Sequence, residues 1–206
     1  MVPIHKGPEP QELVAHRKTP CATYGGMPGK ETIRKSLLRE QGSICAYCMR
    51  RINLANSQIE HWDAQANGRG NDLDYGNMLA VCDGKWASVA GQTCGAAKEE
   101  KTLKYNPAVQ ADADRMRISY NPHDGAIGSE DREFNAQLED VLNLNLPLLK
   151  NNRLAEWKAA QKALKNGKKL AELAKKYRPS TDINPEYREY CGIVDYFLRR
   201  KMKNRG

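Results

Sequence analysis

The sequence predicts an α+β chain, in which a small unit of two strands and a helix surrounds a four-cysteine zinc site inside a mostly α-helical chain. Three observations lead there. Cys45 and Cys48 form a Cys-x2-Cys knuckle, and Cys82 and Cys94 supply a second pair, the number of thiolates that closes a tetrahedral zinc site. SQIEHW and MLAVC read as short strands, and CGAAKEEKTLKY has the composition of a helix opening at Cys94. From Phe134 onward, apolar residues recur at helical spacing. Three segments follow: an extended arm and lead-in helix over 1–40, the cysteine-bearing core over 41–106 and a helical region over 107–206.

In chain order, the prolines and glycines of residues 1–29 predict looped or extended chain, broken by a short helix around Gln11 to His16. This arm is either a tail packed on the body or an arm for a partner. GKETIRKSLLREQGS reads as a helix with Ile33, Leu37 and Leu38 on one face and Gly42 as its stop. DAQANGRGNDLDYGN is a long polar loop between the two strands, and DGKWASVAGQT is an insert between Cys82 and Cys94. Asn121-Pro122 and Asp124-Gly125 mark a turn between two short strands. The remainder reads as helices through Leu146, Leu149, Leu154, Trp157 and Leu164, then KKLAELAKKY beyond Gly167, then EYREYCGIVDYFLRRKM. Their leucine and aromatic stripe is read as core. Cys21 and Cys191 stand apart from the other four and are read as packing residues.

Composition bounds the setting. A mean hydropathy of -0.75, the lack of a long apolar run and a start without an apolar signal core lead to the expectation of a soluble cytoplasmic protein with no membrane contact. In such a compartment clustered cysteines favour metal over disulfides. The net charge of +8 makes an acidic partner plausible, nucleic acid above all, with the excess concentrated from Asn151 to Gly206. Those basic runs are equally readable as solvated helix faces.

Glu60, His61 and Asn77 lie between the two cysteine pairs. Neighbours on a strand face opposite ways, so Glu60 and His61 are free to take different tasks. Neutral imidazole suits general-base work at cellular pH. A magnesium or manganese ion held by Glu60 and the Asn77 amide oxygen would stabilise charge developing on a scissile phosphate. Lys98 is read as a phosphate contact or as an ordinary helix-surface lysine.

The Cys-x2-Cys knuckle, the Glu-His pair, an asparagine before an apolar strand, and a final cysteine opening a helix resemble the HNH (ββα-metal) nucleases in their four-cysteine form. EPQELVAHRKTP, LLREQGSICAYCMRRI, IEHWDAQ, LDYGNMLAVCDG, CGAAKEEKTL and VLNLNLPLLKNNR further resemble the PtuB-like HNH nucleases of Septu anti-phage systems, also found with some retrons. The likeness spans most of residues 1–155. It implies DNA phosphodiester hydrolysis with His61 as general base, Glu60 as acidic metal ligand, Asn77 as the family asparagine, structural zinc on the four cysteines, and an SMC- or ABC-like ATPase as partner. One departure stands out: Gly95 follows the fourth cysteine, where relatives carry His, Asn or Asp, so a third ligand is missing unless water, Asp74 or Asp83 substitutes. The competing functions are a zinc module that binds DNA or a partner without cutting, and a structural subunit docked on its ATPase through the helical tail.

Overall fold

The computed structural model describes residues 1–64, 70–86, 91–178 and 185–204. Its elements are α1 (Gln11–Arg17), α2 (Lys30–Glu40), β1 (Ser57–His61), a 3-10 turn (Tyr75–Asn77), β2 (Met78–Cys82) and α3 (Cys94–Lys98). There follow α4 (Gln110–Arg115), β3 (Ile118–Tyr120), β4 (Ile127–Ser129), α5 (Arg132–Ala136), a π-helical turn (Gln137–Val141), α6 (Pro147–Lys165), α7 (Leu170–Tyr177) and α8 (Cys191–Lys203). The mixed α+β class is as the sequence predicts. Among the described residues no helix is long and apolar enough to cross a membrane.

β1 and β2 form an antiparallel pair with Ser57 opposite Cys82, Glu60 opposite Leu79 and His61 opposite Met78. Every residue of MLAVC is buried, so β2 runs through the interior, whereas β1 keeps Gln58 exposed. The register thus sets the Glu-His pair at one end of the ladder and a zinc-type cysteine at the other. A second antiparallel pair joins β3 to β4 across the turn expected from Asn121-Pro122 and Asp124-Gly125.

The helical expectations hold in outline, but α4 lies where no helix is expected, and α8 begins at Cys191 rather than at Glu186. α2 ends at Glu40, and Gly42 takes a left-handed φ of 57° just beyond it. α6 opens with Pro147 in its first turn, where the missing N–H has no intrahelical partner to lose. The helix composition of CGAAKEEKTLKY, however, produces only five helical residues: Glu99 turns out of the helix at φ 53°, immediately after the fully buried Lys98. Cys191 is buried at the start of α8, as a packing residue should be, but Cys21 is exposed in the turn after α1 and does not pack. Parts of the polar loop and of the insert, residues 65–69 and 87–90, lie outside the described residues.

Buried side chains from all three expected segments, Leu13 and Ile33, Leu79 and Cys82, Phe134, Trp157 and Ile193, belong to a single contiguous core. Backbone hydrogen bonds tie the segments together: Ile4 N to Pro107 O at 2.8 Å, Cys94 N to Leu142 O at 3.0 Å and Tyr190 N to Met49 O at 3.0 Å. α8 also presses on the knuckle through Gly192, whose missing Cβ would stand 2.9 Å from Met49 Sδ and 2.7 Å from the Tyr120 hydroxyl. The cysteine-bearing unit is thus tied to the helical region through Cys94 and Met49, and to the N-terminal arm through Lys6 Nζ, which donates to Met78 O at 2.7 Å.

Candidate metal centre and adjoining cleft

Three elements deliver the four cysteines. Cys45 and Cys48 sit in a tight knuckle after α2, closed by Cys45 N to Arg50 O at 2.8 Å and Met49 N to Cys45 O at 3.0 Å, with Met49 left-handed at φ 64°. Cys82 is the last residue of β2, and Cys94 the first of α3. Cys45 and Cys94 Sγ are 3.8 Å apart, as are Cys48 and Cys82 Sγ, and all four ligand atoms lie within 4.8 Å of one another. A tetrahedron with zinc–sulfur bonds of about 2.3 Å has edges of about 3.8 Å, so the donor set fits zinc. A disulfide needs sulfurs about 2.05 Å apart, and all six cysteines are free.

The quartet's electrostatics point the same way. Burial resists the Cys45 thiolate, yet hydrogen bonds from Cys48, Cys82 and Cys94 prevail and hold its pKa well below that of an ordinary thiol. Burial and the neighbouring sulfurs push Cys94 well up. Thiolates are the form in which cysteine binds zinc, and the metal would hold these sulfurs in that form.

Beside this centre, Tyr24, Ile59, Glu60, His61, Ala64, Glu99 and Glu100 line a cleft of about 190 Å³. Larger grooves of about 420 and 630 Å³ lie elsewhere, and neither contains the Glu60–His61 pair. His61 is largely buried, its ring edge-on to Tyr24 at 4.6 Å between centroids. Its Nε2 lies 2.9 Å from the Asp72 carbonyl oxygen, which can only accept, so Nε2 carries the proton and Nδ1 keeps its lone pair. Burial lowers the His61 pKa, with the Asp72 carbonyl opposing, so the ring is neutral at pH 7. A neutral imidazole with one nitrogen anchored and the other basic is equipped to accept a proton.

Glu60 sits across the strand pleat and faces α3. Its Oε1 receives Lys98 Nζ at 2.7 Å, and Lys98 also donates to the His61 carbonyl at 2.9 Å. Burial raises the Glu60 pKa, and the Lys98 ammonium opposes that rise. Lys98 is read from the sequence as a phosphate contact or as an ordinary helix-surface lysine; in the structure its side chain has no exposed area. A short helix packed flat on the strand pair leaves its last residue nowhere else to point.

Asn77 occupies the place the sequence assigns it, just before β2, but its amide serves the backbone. Oδ1 accepts from Asp63 N at 2.8 Å, and Nδ2 donates to Asp63 O at 3.0 Å and Asn71 O at 3.3 Å. Asp63 in turn accepts from Thr102 Oγ1 at 2.7 Å and Asn71 Nδ2 at 2.8 Å. The asparagine thereby clamps the chain two residues beyond His61. Asp74 caps the 3-10 turn through Gly76 N at 2.9 Å, and Asp83 faces Arg50 at 3.6 Å.

The residues expected to hold a magnesium or manganese ion each have other partners. Glu60 is paired with an ammonium, the Asn77 amide oxygen is taken by backbone, and Gly95 offers no side chain. A Cβ at Gly95 would stand 2.8 Å from Glu60 Oε2 and 2.9 Å from Gln58 Nε2, so a side chain there would have to push these two aside. Among the described residues, the four cysteines are the group of His, Cys, Asp and Glu side chains near enough together to hold a metal.

Tyr24, Asp72, Asp63, Asn71, Thr102, Glu99 and Glu100 escaped the sequence reading. Only Asp63 carried a local signal, standing two residues after His61; the others reach the site through the fold. No family model matches this chain, and no curated protein matches it.

Proposed function

We propose that this chain is an HNH-type endonuclease that hydrolyses DNA phosphodiester bonds, with His61 as general base. The observation that carries the reading is the state of His61: a neutral imidazole at the end of β1, proton-bearing at Nε2, basic at Nδ1, and turned to a cleft beside a four-cysteine centre. In this reading β1, β2 and α3 make up the ββα-metal unit. Structural zinc, when bound, ties the knuckle to the end of β2 and the start of α3 and so holds that unit together.

His61 Nδ1 takes a proton from water, the resulting hydroxide oxygen bonds to phosphorus, and the P–O bond to the leaving sugar oxygen breaks. The leaving oxygen takes a proton from solvent, and His61 later returns its own. Asn77 holds residues 62 and 63 so that the ring keeps its place, and Asp72 fixes the tautomer.

The resemblance to PtuB-like nucleases extends the proposal to a cytoplasmic anti-phage complex with an SMC- or ABC-like ATPase and, in some settings, retron components. Six free cysteines accord with a reducing compartment. A magnesium or manganese requirement belongs to the family pattern, but the paired Glu60 and engaged Asn77 give it no support here. The same two observations favour a second reading, a zinc module that binds DNA or its partner without cutting.

The deciding experiment is cleavage of plasmid and linear DNA by the purified full chain, alone and with its ATPase, with and without added magnesium or manganese, beside His61→Ala. Cutting by wild type that falls at least a hundredfold in a folded, zinc-bearing His61→Ala chain is expected. Binding without cutting in every condition would replace the endonuclease with the binding module.

A further inference from the structure

We infer that Lys98 stands where a divalent cation would otherwise serve Glu60, making it the resident positive charge of the site and a positioning residue for His61. This deepens the endonuclease reading and rests on it for the role of His61, but the inference about Glu60 stands on geometry alone.

Lys98 Nζ spans the two residues that matter: 2.7 Å from Glu60 Oε1 and 2.9 Å from the backbone carbonyl of His61. Its side chain is wholly buried, and that of Glu60 is nine-tenths buried. An ammonium in such a place has no water to retreat to if its carboxylate is taken by another ion. A dication at Glu60 would also sit against a buried positive charge, in surroundings that screen poorly.

Gly95 supplies the second half of the argument. Glu60 Oε2, the oxygen not paired with Lys98, lies in the close contact between α3 and β1, where even a methyl group at Gly95 would stand 2.8 Å away. A ligand side chain at this position would first have to displace the ends of Glu60 and Gln58, and the lack of one leaves Glu60 room against α3 beside Lys98. Gly95 and Lys98 are one turn apart on the same helix face and work as a pair: the glycine admits the carboxylate and the lysine neutralises it. The lysine's second hydrogen bond fixes the His61 peptide, so the charge that settles Glu60 also orients the residue with the basic nitrogen.

The test is manganese binding to the zinc-bearing full chain, followed by the electron paramagnetic resonance signal of free manganese, in wild type, Glu60→Gln, Lys98→Ala and the double variant. Wild type and Glu60→Gln should leave the free-manganese signal equally undiminished. Lys98→Ala should gain a site that Glu60→Gln then removes. A wild-type site that disappears in Glu60→Gln would overturn the inference, as would a folded Lys98→Ala chain that gains none. Should Lys98→Ala fail to fold, the comparison of wild type with Glu60→Gln still decides. Because manganese binding is read without DNA, its result is separate from the cleavage result in His61→Ala, and either reading can fail without the other.

Discussion

The Asn77 amide and the Asp63 backbone exchange two hydrogen bonds, Asp63 N to Oδ1 at 2.8 Å and Nδ2 to Asp63 O at 3.0 Å, closing the strand end that carries His61. Removing this amide leaves buried peptide groups without partners, each worth about 1–3 kcal/mol. Asn77→Ala should therefore lower stability by roughly 2–4 kcal/mol in urea denaturation. Asn77→Asp keeps an acceptor for Asp63 N but sets a carboxylate against the Asp63 carbonyl, so it should recover only part of the loss.

Breaking the Glu60–Lys98 pair from the acidic side should be costly whatever the site does. Glu60→Ala strands a fully buried ammonium, and losing one partner of such a pair typically costs about 3–5 kcal/mol. Thermal denaturation of Glu60→Ala should show that penalty, whereas Glu60→Gln, which retains an acceptor oxygen for Lys98, should lose distinctly less. Loss of any DNA cleavage in Glu60→Ala would accordingly say little about chemistry unless its folding is measured alongside.

A side chain at Gly95 would crowd β1 and β2. Its Cβ would meet Glu60 Oε2 at 2.8 Å, Gln58 Nε2 at 2.9 Å and Val81 Cγ2 at 3.0 Å. The Glu60 and Gln58 ends can swing aside but Val81 cannot without shifting β2, so Gly95→Ala should cost about 1 kcal/mol, the low end for overpacking, as a small drop in the urea midpoint. A neutral or stabilised Gly95→Ala chain would contradict the close α3–β1 contact.

Metal removal should unfold the cysteine-bearing unit. Native mass spectrometry should find zinc bound to the chain, and a strong chelator or Cys48→Ser should lower the melting temperature and expose the remaining thiols to modification together. A chain that stays folded and metal-free would remove the zinc assignment.

Lys6 predicts a pH dependence. Its Nζ donates to Met78 O at 2.7 Å, lies 3.7 Å from Glu40 Oε2 and sits over the Tyr75 ring, and burial lowers its pKa from 10.5 to about 8. The folded pKa is below the unfolded one, so the unfolded chain binds more protons between these values. Burial of the charged amine is unfavourable below pH 8, and that penalty is progressively relieved as pH rises towards 10.5. The stability difference between wild type and Lys6→Met should therefore shift in favour of wild type across that window. A difference that is flat with pH would refute the shift.

Much of this site was legible in one dimension. The strand reading of SQIEHW, the apolar run MLAVC, the two-residue gap of the knuckle and the apolar face of α2 are local patterns, and each element appears where its pattern lies. The end of α3 was not legible, because EEKTLKY has good helix formers. The helix ends after Lys98, where Glu99 turns out at φ 53° and Lys98 is buried against a strand 37 residues earlier. Cys21 misled for the opposite reason, since a cysteine's usual burial says nothing about the turn that holds it in solvent.

The sequence by itself determined the α+β class, the four-cysteine centre and the Glu60–His61 pair beside it, since these depend on residue type and short spacing. Only the tertiary structure decided what the polar groups do. Asn77 binds backbone, His61 takes its tautomer from the Asp72 carbonyl, and Glu60 meets Lys98 instead of facing an open cation site. The physical reason is that a hydrogen bond or ion pair is chosen by whichever group the fold brings within about 3 Å, and no spacing along the chain encodes that distance.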